Sequence, residues 1–165
     1  MTALQNLGSP PPCESYATVR SIEPMEGCQK MDKVRIEKVP HSEEIIGAKR
    51  WEEERGEFVQ ISYQEEIRHL AIFEIRKGFS RGNHYHEKKE EIFYVVSGRM
   101  RALFVDMDSL QREEHFLEKG DKIRIKPRCG HIFLGMENAL VVEYSPQVYD
   151  GEDRYGIDSG LKMLA

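Results

Sequence analysis

The stretch Gly78-Phe79-Ser80-Arg81-Gly82-Asn83-His84-Tyr85-His86-Glu87-Lys88-Lys89-Glu90-Glu91-Ile92-Phe93-Tyr94-Val95-Val96-Ser97-Gly98 decides how this chain is read. His84 and His86 stand two residues apart, so on a β-strand both imidazoles leave the same face. Residues 87–90 connect them to Glu91, which opens an apolar run, Ile92 to Val96, closed by Ser97-Gly98. If the two strands are neighbours, two imidazoles and a carboxylate converge on one point, the outline of a metal site. Glu91 shares its face with Phe93 and Val95, which wall a pocket. Glu90 points the other way and, with Glu87-Lys88-Lys89, reads as a solvated turn.

Written as spacings, the stretch is Gly, five residues, His-x-His, four residues, Glu, six residues, Gly. It resembles the first signature motif of the cupin family at every fixed position. A chance match is on the order of one in ten thousand at ordinary composition. A second cupin motif runs Gly, five residues, Pro-x-Gly, two residues, His, three residues, Asn. Here Gly120 and His131 keep the family's separation, but Pro127 is one place late, Arg128 takes the Gly place and Gly135 replaces the Asn. The resemblance implies His131 as the fourth ligand beside His84, His86 and Glu91. Three neutral imidazoles and a carboxylate make a borderline donor set for one divalent transition metal (Zn, Fe, Mn, Ni, Cu or Co) and leave positions open for chemistry.

Composition limits the remaining choices. The chain has 165 residues, 39% hydrophobic and 32% charged, with a formal net charge of −5. This is the balance of one soluble domain with a real core. Basic residues are interspersed with Glu, so no nucleic-acid surface is expected. No apolar run approaches the roughly 20 residues of a membrane span, and no secretory signal is visible, so the cytoplasm is the expected location. Cys13, Cys28 and Cys129 form no zinc-type pair, and structural disulfides are not expected. Cys129 reads as a free, partly buried thiol.

Along the chain, residues 1–31, with the Pro10-Pro11-Pro12 run, read as an extended N-terminal arm. The alternation of Val34, Ile36 and Val39 predicts an edge strand stopped by Pro40. Val59, Ile61 and Tyr63 alternate as a strand, and Leu70 to Ile75 reads as a buried one. Further strands are predicted at Met100–Val105, Glu114–Leu117, around Ile123 and Ile125, at Ile132–Leu134 and at Leu140–Tyr144. With turn signals about every 8–12 residues and no amphipathic helix, the pattern calls for an all-β sandwich or barrel. The cupin resemblance selects a single-domain double-stranded β-helix, the jelly-roll barrel, over residues 32–148. Residues 149–165 are expected to wrap the outside as a C-terminal tail.

A second resemblance bears on substrate. Glu53-Glu54-Arg55-Gly56 and the later Arg81-Gly82-Asn83-His84 are similar in layout to cupins that act on nucleotide-linked keto-sugars. Those are the 3,5-epimerases, the 3,4-ketoisomerases and the metal-containing cupin domain of capsular-polysaccharide reductases. The resemblance implies Arg55 and Arg81 as diphosphate contacts, a role suited to the guanidinium fork, with Phe93 lining the pocket. It implies proton abstraction beside a ketone, with His131 or a pocket tyrosine, Tyr144 before Tyr94, moving the proton. The expected activity is therefore isomerisation or epimerisation of a small-molecule sugar nucleotide. A metal-dependent oxygenase or lyase and a non-catalytic small-molecule-binding cupin remain the alternatives. A homodimer joined by edge pairing of the early strand and arm is also expected.

Overall fold

The computed structural model describes residues 31–157. The expected arm, apart from Met31, lies outside them, as do Cys13, Cys28 and residues 158–165. Twelve strands follow in order: β1 (Val34–Lys38), β2 (Lys49–Glu53), β3 (Gly56–Gln60), β4 (His69–Ile75), β5 (Ser80–Tyr85), β6 (Glu91–Ser97), β7 (Arg99–Asp106), β8 (Arg112–Glu118), β9 (Asp121–Ile125), β10 (Cys129–Gly135), β11 (Ala139–Ser145) and β12 (Tyr155–Gly156). One sheet has the order β1-β9-β6-β11-β4 and the other β12-β5-β10-β7-β8, with β2 and β3 forming a separate hairpin. The described residues contain no helix. This is the expected all-β jelly-roll barrel.

Period-two alternation drives the packing. Phe93 and Val95 of β6, Ile123 and Ile125 of β9 and Val141 of β11 face Met100, Ala102, Phe104 and Phe133 of the opposite sheet. Each of the larger side chains contributes about 1.5–3 kcal/mol by leaving water. The hairpin from β6 to β7 turns at Gly98, whose φ is +80°. A Cβ there would lie 2.2 Å from the Asn138 carbonyl oxygen, which is why the closing position of the motif is Gly.

Several expectations are corrected. The strand expected through Tyr63 ends at Gln60. The segment that follows lies on the outer face of the first sheet and presents Glu65 to Lys122 at 3.1 Å and to the Tyr144 hydroxyl at 2.6 Å. The run Leu70–Ile75 is an edge strand whose inward side chains are Ala71, Phe73 and Ile75. Leu70 and Ile72 are 63% and 67% exposed, because nothing in the described chain covers that end of the outer face. β1 is an end strand of its sheet, as expected. The tail does not simply wrap the outside: β12 pairs with β5, beyond the expected barrel boundary at residue 148. Cys129 is free and fully buried in the core, and burial pushes its thiol up to about 12.

Candidate functional site

The site is built where β5 and β10 meet the start of β6. On β5, Gly82 (φ +99°) and Asn83 (φ +64°) both take left-handed backbone, and the β10–β5 register shifts between His131 and Ile132. This bulge places His84 directly opposite His131, with ring centroids 4.8 Å apart. Only glycine fits at 82, since a Cβ would sit 2.7 Å from the His131 carbonyl oxygen. His86 lies just past the end of β5, its ring 5.0 Å from His84. From the opposite sheet Glu91, the first residue of β6, points inward ahead of Phe93.

Ligand atoms of His84, His86 and Glu91 all lie within 4.8 Å of one another. His86 Nε2 is 3.3 Å from Glu91 Oε1, and His131 Nε2 is 3.4 Å from Glu91 Oε2. His131 therefore touches the carboxylate but stands outside the tightest cluster. Buried Nδ1 atoms on His84 and His131 have no well-aligned hydrogen-bond partner. His86 differs: its Nδ1 is bonded to the Asp153 carbonyl. That bond puts a proton on Nδ1, so that Nε2, which faces Glu91, is the nitrogen a metal would take. The donor set and its convergence fit a divalent transition metal.

The segment that departs from the second cupin motif still brings His131 opposite His84. Arg128, standing in the family's Gly place, adopts φ +59°, the left-handed backbone that glycine favours. Its guanidinium bonds to Glu87 at 2.6 Å and Asp108 at 2.7 Å, and its N–H donates to the His86 carbonyl at 2.6 Å.

Several residues of the site escaped sequence reasoning, among them Arg154, Tyr149 and Phe73 of the cavity wall and three that surround the ligand cluster. Lys89 is not solvated: it is 6% exposed, with Nζ 3.1 Å from Glu91 Oε1 and 2.8 Å from Glu143 Oε1. Glu143, on β11 opposite Phe93, is also 3.5 Å from His69 Nε2. An acid inside the apolar run Leu140–Tyr144 was the one available signal. Asp153 holds the 87–89 turn and had no local signal at all.

Burial lowers the His84 pKa to about 4, helped by the nearby His131. Burial likewise lowers His131. For His86, burial pulls down but the Glu91 carboxylate outweighs it, and the net shift is upward. Burial would raise Glu91, yet His131, His86 and Lys89 outweigh it and hold the carboxyl well below the usual range. For Lys89, burial is outweighed by Glu91 and Glu143, so the ammonium is retained.

The His84 shift has a sign that can be measured. Between pH 6.5 and about 4 the unfolded chain protonates this imidazole and the folded chain does not. The metal-free protein is thus expected to lose stability as pH falls through that window. Thermal unfolding in the presence of a chelator should show the loss, and His84→Gln should reduce it. An identical pH dependence in the variant would assign the loss to another group.

The histidines and Glu91 lie in a cavity of about 430 Å³ whose walls include Phe73, Phe93, Phe133 and Tyr149, with Arg81 and Arg154 also lining it. Arg81 donates from Nε to the Glu74 carbonyl at 2.8 Å and lies 5.3 Å over the Phe73 ring. Neither Arg81 nor Arg154 has a carboxylate within ion-pair distance among the described residues.

Two expected site residues are elsewhere. Arg55 is exposed in the β2–β3 turn and bonded to Glu53 at 2.8 Å, because that hairpin packs outside the barrel. Tyr144 is fully buried on the outward face of β11, where its hydroxyl donates to Glu65; the alternation that aims Glu143 into the cavity turns Tyr144 away. Tyr94 also faces outward. Tyr85 stacks on Tyr155 at 5.3 Å, in a packing role.

No curated protein sequence matches the chain. Among solved structures, it is similar to a dTDP-4-dehydrorhamnose 3,5-epimerase from Sulfolobus tokodaii, with TM-score 0.66, 18% identity, and 82% of this chain and 83% of that one covered. It is also similar to a sugar 3,4-ketoisomerase from Thermoanaerobacterium thermosaccharolyticum in complex with TDP, with TM-score 0.64, 14% identity, and 80% and 93% covered. A 3,4-ketoisomerase from Helicobacter canadensis gives TM-score 0.64 and 14% identity over 80% and 96%. These likenesses establish the shared barrel. The sequence profile described as the polysaccharide biosynthesis C-terminal domain matches residues 51–152, a span that includes His84, His86, Glu91 and His131. With more than half of its length matched, including the stretch that builds the cavity, this chain belongs to the polysaccharide biosynthesis C-terminal domain family.

Proposed function

We propose that this chain is a metal-binding enzyme that isomerises or epimerises a nucleotide-linked keto-sugar. The observation that carries the reading is a cavity with His84, His86 and Glu91 converging inside it and, on its walls, two arginines without a carboxylate partner among the described residues. The structurally similar epimerase and ketoisomerases, one of them in complex with TDP, support this class of substrate. His84, His86 and Glu91 would hold the divalent metal (Zn, Fe, Mn, Ni or Cu), with His131 beside them. When bound, that ion supplies Lewis-acid polarisation of the substrate carbonyl.

The chain's own residues supply the rest. Arg81 and Arg154 pair with the diphosphate, and Phe73, Phe93 and Tyr149 enclose the sugar and exclude water. His131, kept neutral by burial, accepts the proton from the carbon beside the ketone. The C–H electron pair then forms the enolate, and return of a proton to the carbon's other face, or to the neighbouring carbon after shuttling between oxygens, gives the epimer or the isomer. Lys89 offsets the charge of Glu91 and Glu143.

The test is incubation with a panel of dTDP- and UDP-4-keto-sugars in D2O, with metal content measured on the same sample. Solvent deuterium at the carbon next to the ketone is the expected result. Binding without exchange would leave a non-catalytic cupin, and oxygen consumption would point to an oxygenase instead. We also propose a homodimer formed through the edges of the first sheet. The end position of β1 and the exposed Leu70 and Ile72 on edge strand β4 support it. Sedimentation as a monomer at micromolar concentration would remove it.

A further inference from the structure

We propose that Asp153 is a positioning residue of the site: one residue of the C-terminal segment fixes both the His86 ring and the turn that carries Lys89 to Glu91. Asp153 is 6% exposed. Its carboxylate accepts three backbone N–H bonds, from Glu87 at 2.8 Å, Lys88 at 3.1 Å and Lys89 at 3.0 Å. Its backbone carbonyl accepts the His86 Nδ1–H. Two residues later, Tyr155 pairs with Tyr85 and Gly156 with His84 in the β12–β5 ladder, and the Tyr155 ring stacks on Tyr85. Asp153 is therefore tied to the strand bearing His84, to the His86 ring and to the Lys89 turn at once.

The chemistry follows from those partners. The His86 ring has two acceptors within reach, the Asp153 carbonyl at Nδ1 and the Glu91 carboxylate 3.3 Å from Nε2, and a proton held on Nε2 occupies the nitrogen a metal would take. The Asp153 carbonyl draws the proton of the neutral ring to Nδ1. Its carboxylate accepts from three successive N–H groups, the last of them buried, and so sets where the Lys89 side chain begins. Without the carboxylate, the turn and the carbonyl both lose their anchor. The connection to metal affinity rests on the reading of the site given above, whereas the tautomer does not.

The experiment is long-range ¹H–¹⁵N NMR of the histidine rings in the metal-free wild type and in Asp153→Ala, at about pH 9 where imidazoles are neutral, followed by zinc titration against a competing chelator. The expected result is one Nδ1–H tautomer for His86 in the wild type and a mixture in the variant. Zinc affinity should fall roughly 10–100-fold, the usual cost of an outer-layer partner, with stoichiometry unchanged. An Nε2–H tautomer in the wild type overturns the inference even if the variant fails to fold. Unchanged tautomer and affinity in a folded variant also overturn it. A tautomer shift in a protein that binds no zinc would support the positioning role and sink the metal reading instead.

Discussion

Replacing Glu91 with glutamine is expected to strip the protein of bound metal. The side chain keeps its volume, but the carboxylate charge that faces His86 at 3.3 Å and His131 at 3.4 Å is gone. An amide is a poor ligand for a borderline cation, and its N–H₂ must face imidazole lone pairs or the Lys89 ammonium. The loss of affinity should exceed the roughly 10–100-fold that an outer partner costs. Elemental analysis of protein purified without added chelator, with competition titration on reconstituted samples, reads the effect directly. His84→Ala and His86→Ala should behave alike, since their donor atoms share the same 4.8 Å cluster. Full metal content in all three variants would place the ion elsewhere. A wild type without metal, even after reconstitution, would leave Glu91 and His131 as a proton-transfer pair, and the 3.4 Å contact between them favours that reading above other metal-free ones.

The second large effect concerns turnover. His131→Gln is expected to lower solvent-deuterium exchange into the substrate by about 10²–10⁴-fold, the range for loss of a positioned general base. Metal content should stay close to wild type, because His131 lies outside the tightest cluster. The reasoning uses two observations: burial holds this imidazole neutral, so it is able to accept a proton, and it lines the cavity with the ligand residues. Metal loss in His131→Gln equal to that in Glu91→Gln would make His131 a fourth ligand and move the proton-carrier role to another cavity group. Wild-type exchange in the variant would remove His131 from the chemistry altogether.

Glu143 shows how strand arithmetic both succeeds and fails in this protein. Alternation correctly separates Glu91 from Glu90, which faces the other side of the sheet and pairs with Arg124. The same alternation puts Glu143 and Tyr144 on opposite faces, but not which face is the cavity. Reading Tyr144 as the inward residue reversed the assignment. Arg55 failed for a different reason: its motif is present, but it sits in a hairpin packed outside the barrel. Leu70 and Ile72 read as core because an apolar run does not reveal that its strand lies at the edge of a sheet.

What the sequence alone determined was the set of short-range relations. The His-x-His pair, its distance to Glu91 and the closing Gly98 are local, and local spacing settles which side chains leave a strand together. The separation from Gly120 to His131 likewise sufficed to land a histidine on β10, because Arg128 tolerates the left-handed backbone of the glycine it replaces. Only the tertiary structure decided the rest. Lys89 becomes a buried charge because β6 and β11 bring Glu91 and Glu143 together beside it, and Asp153 reaches His86 across 67 residues of chain. Such partners leave no periodic trace in the sequence, since their burial is set by which faces meet once both sheets have closed.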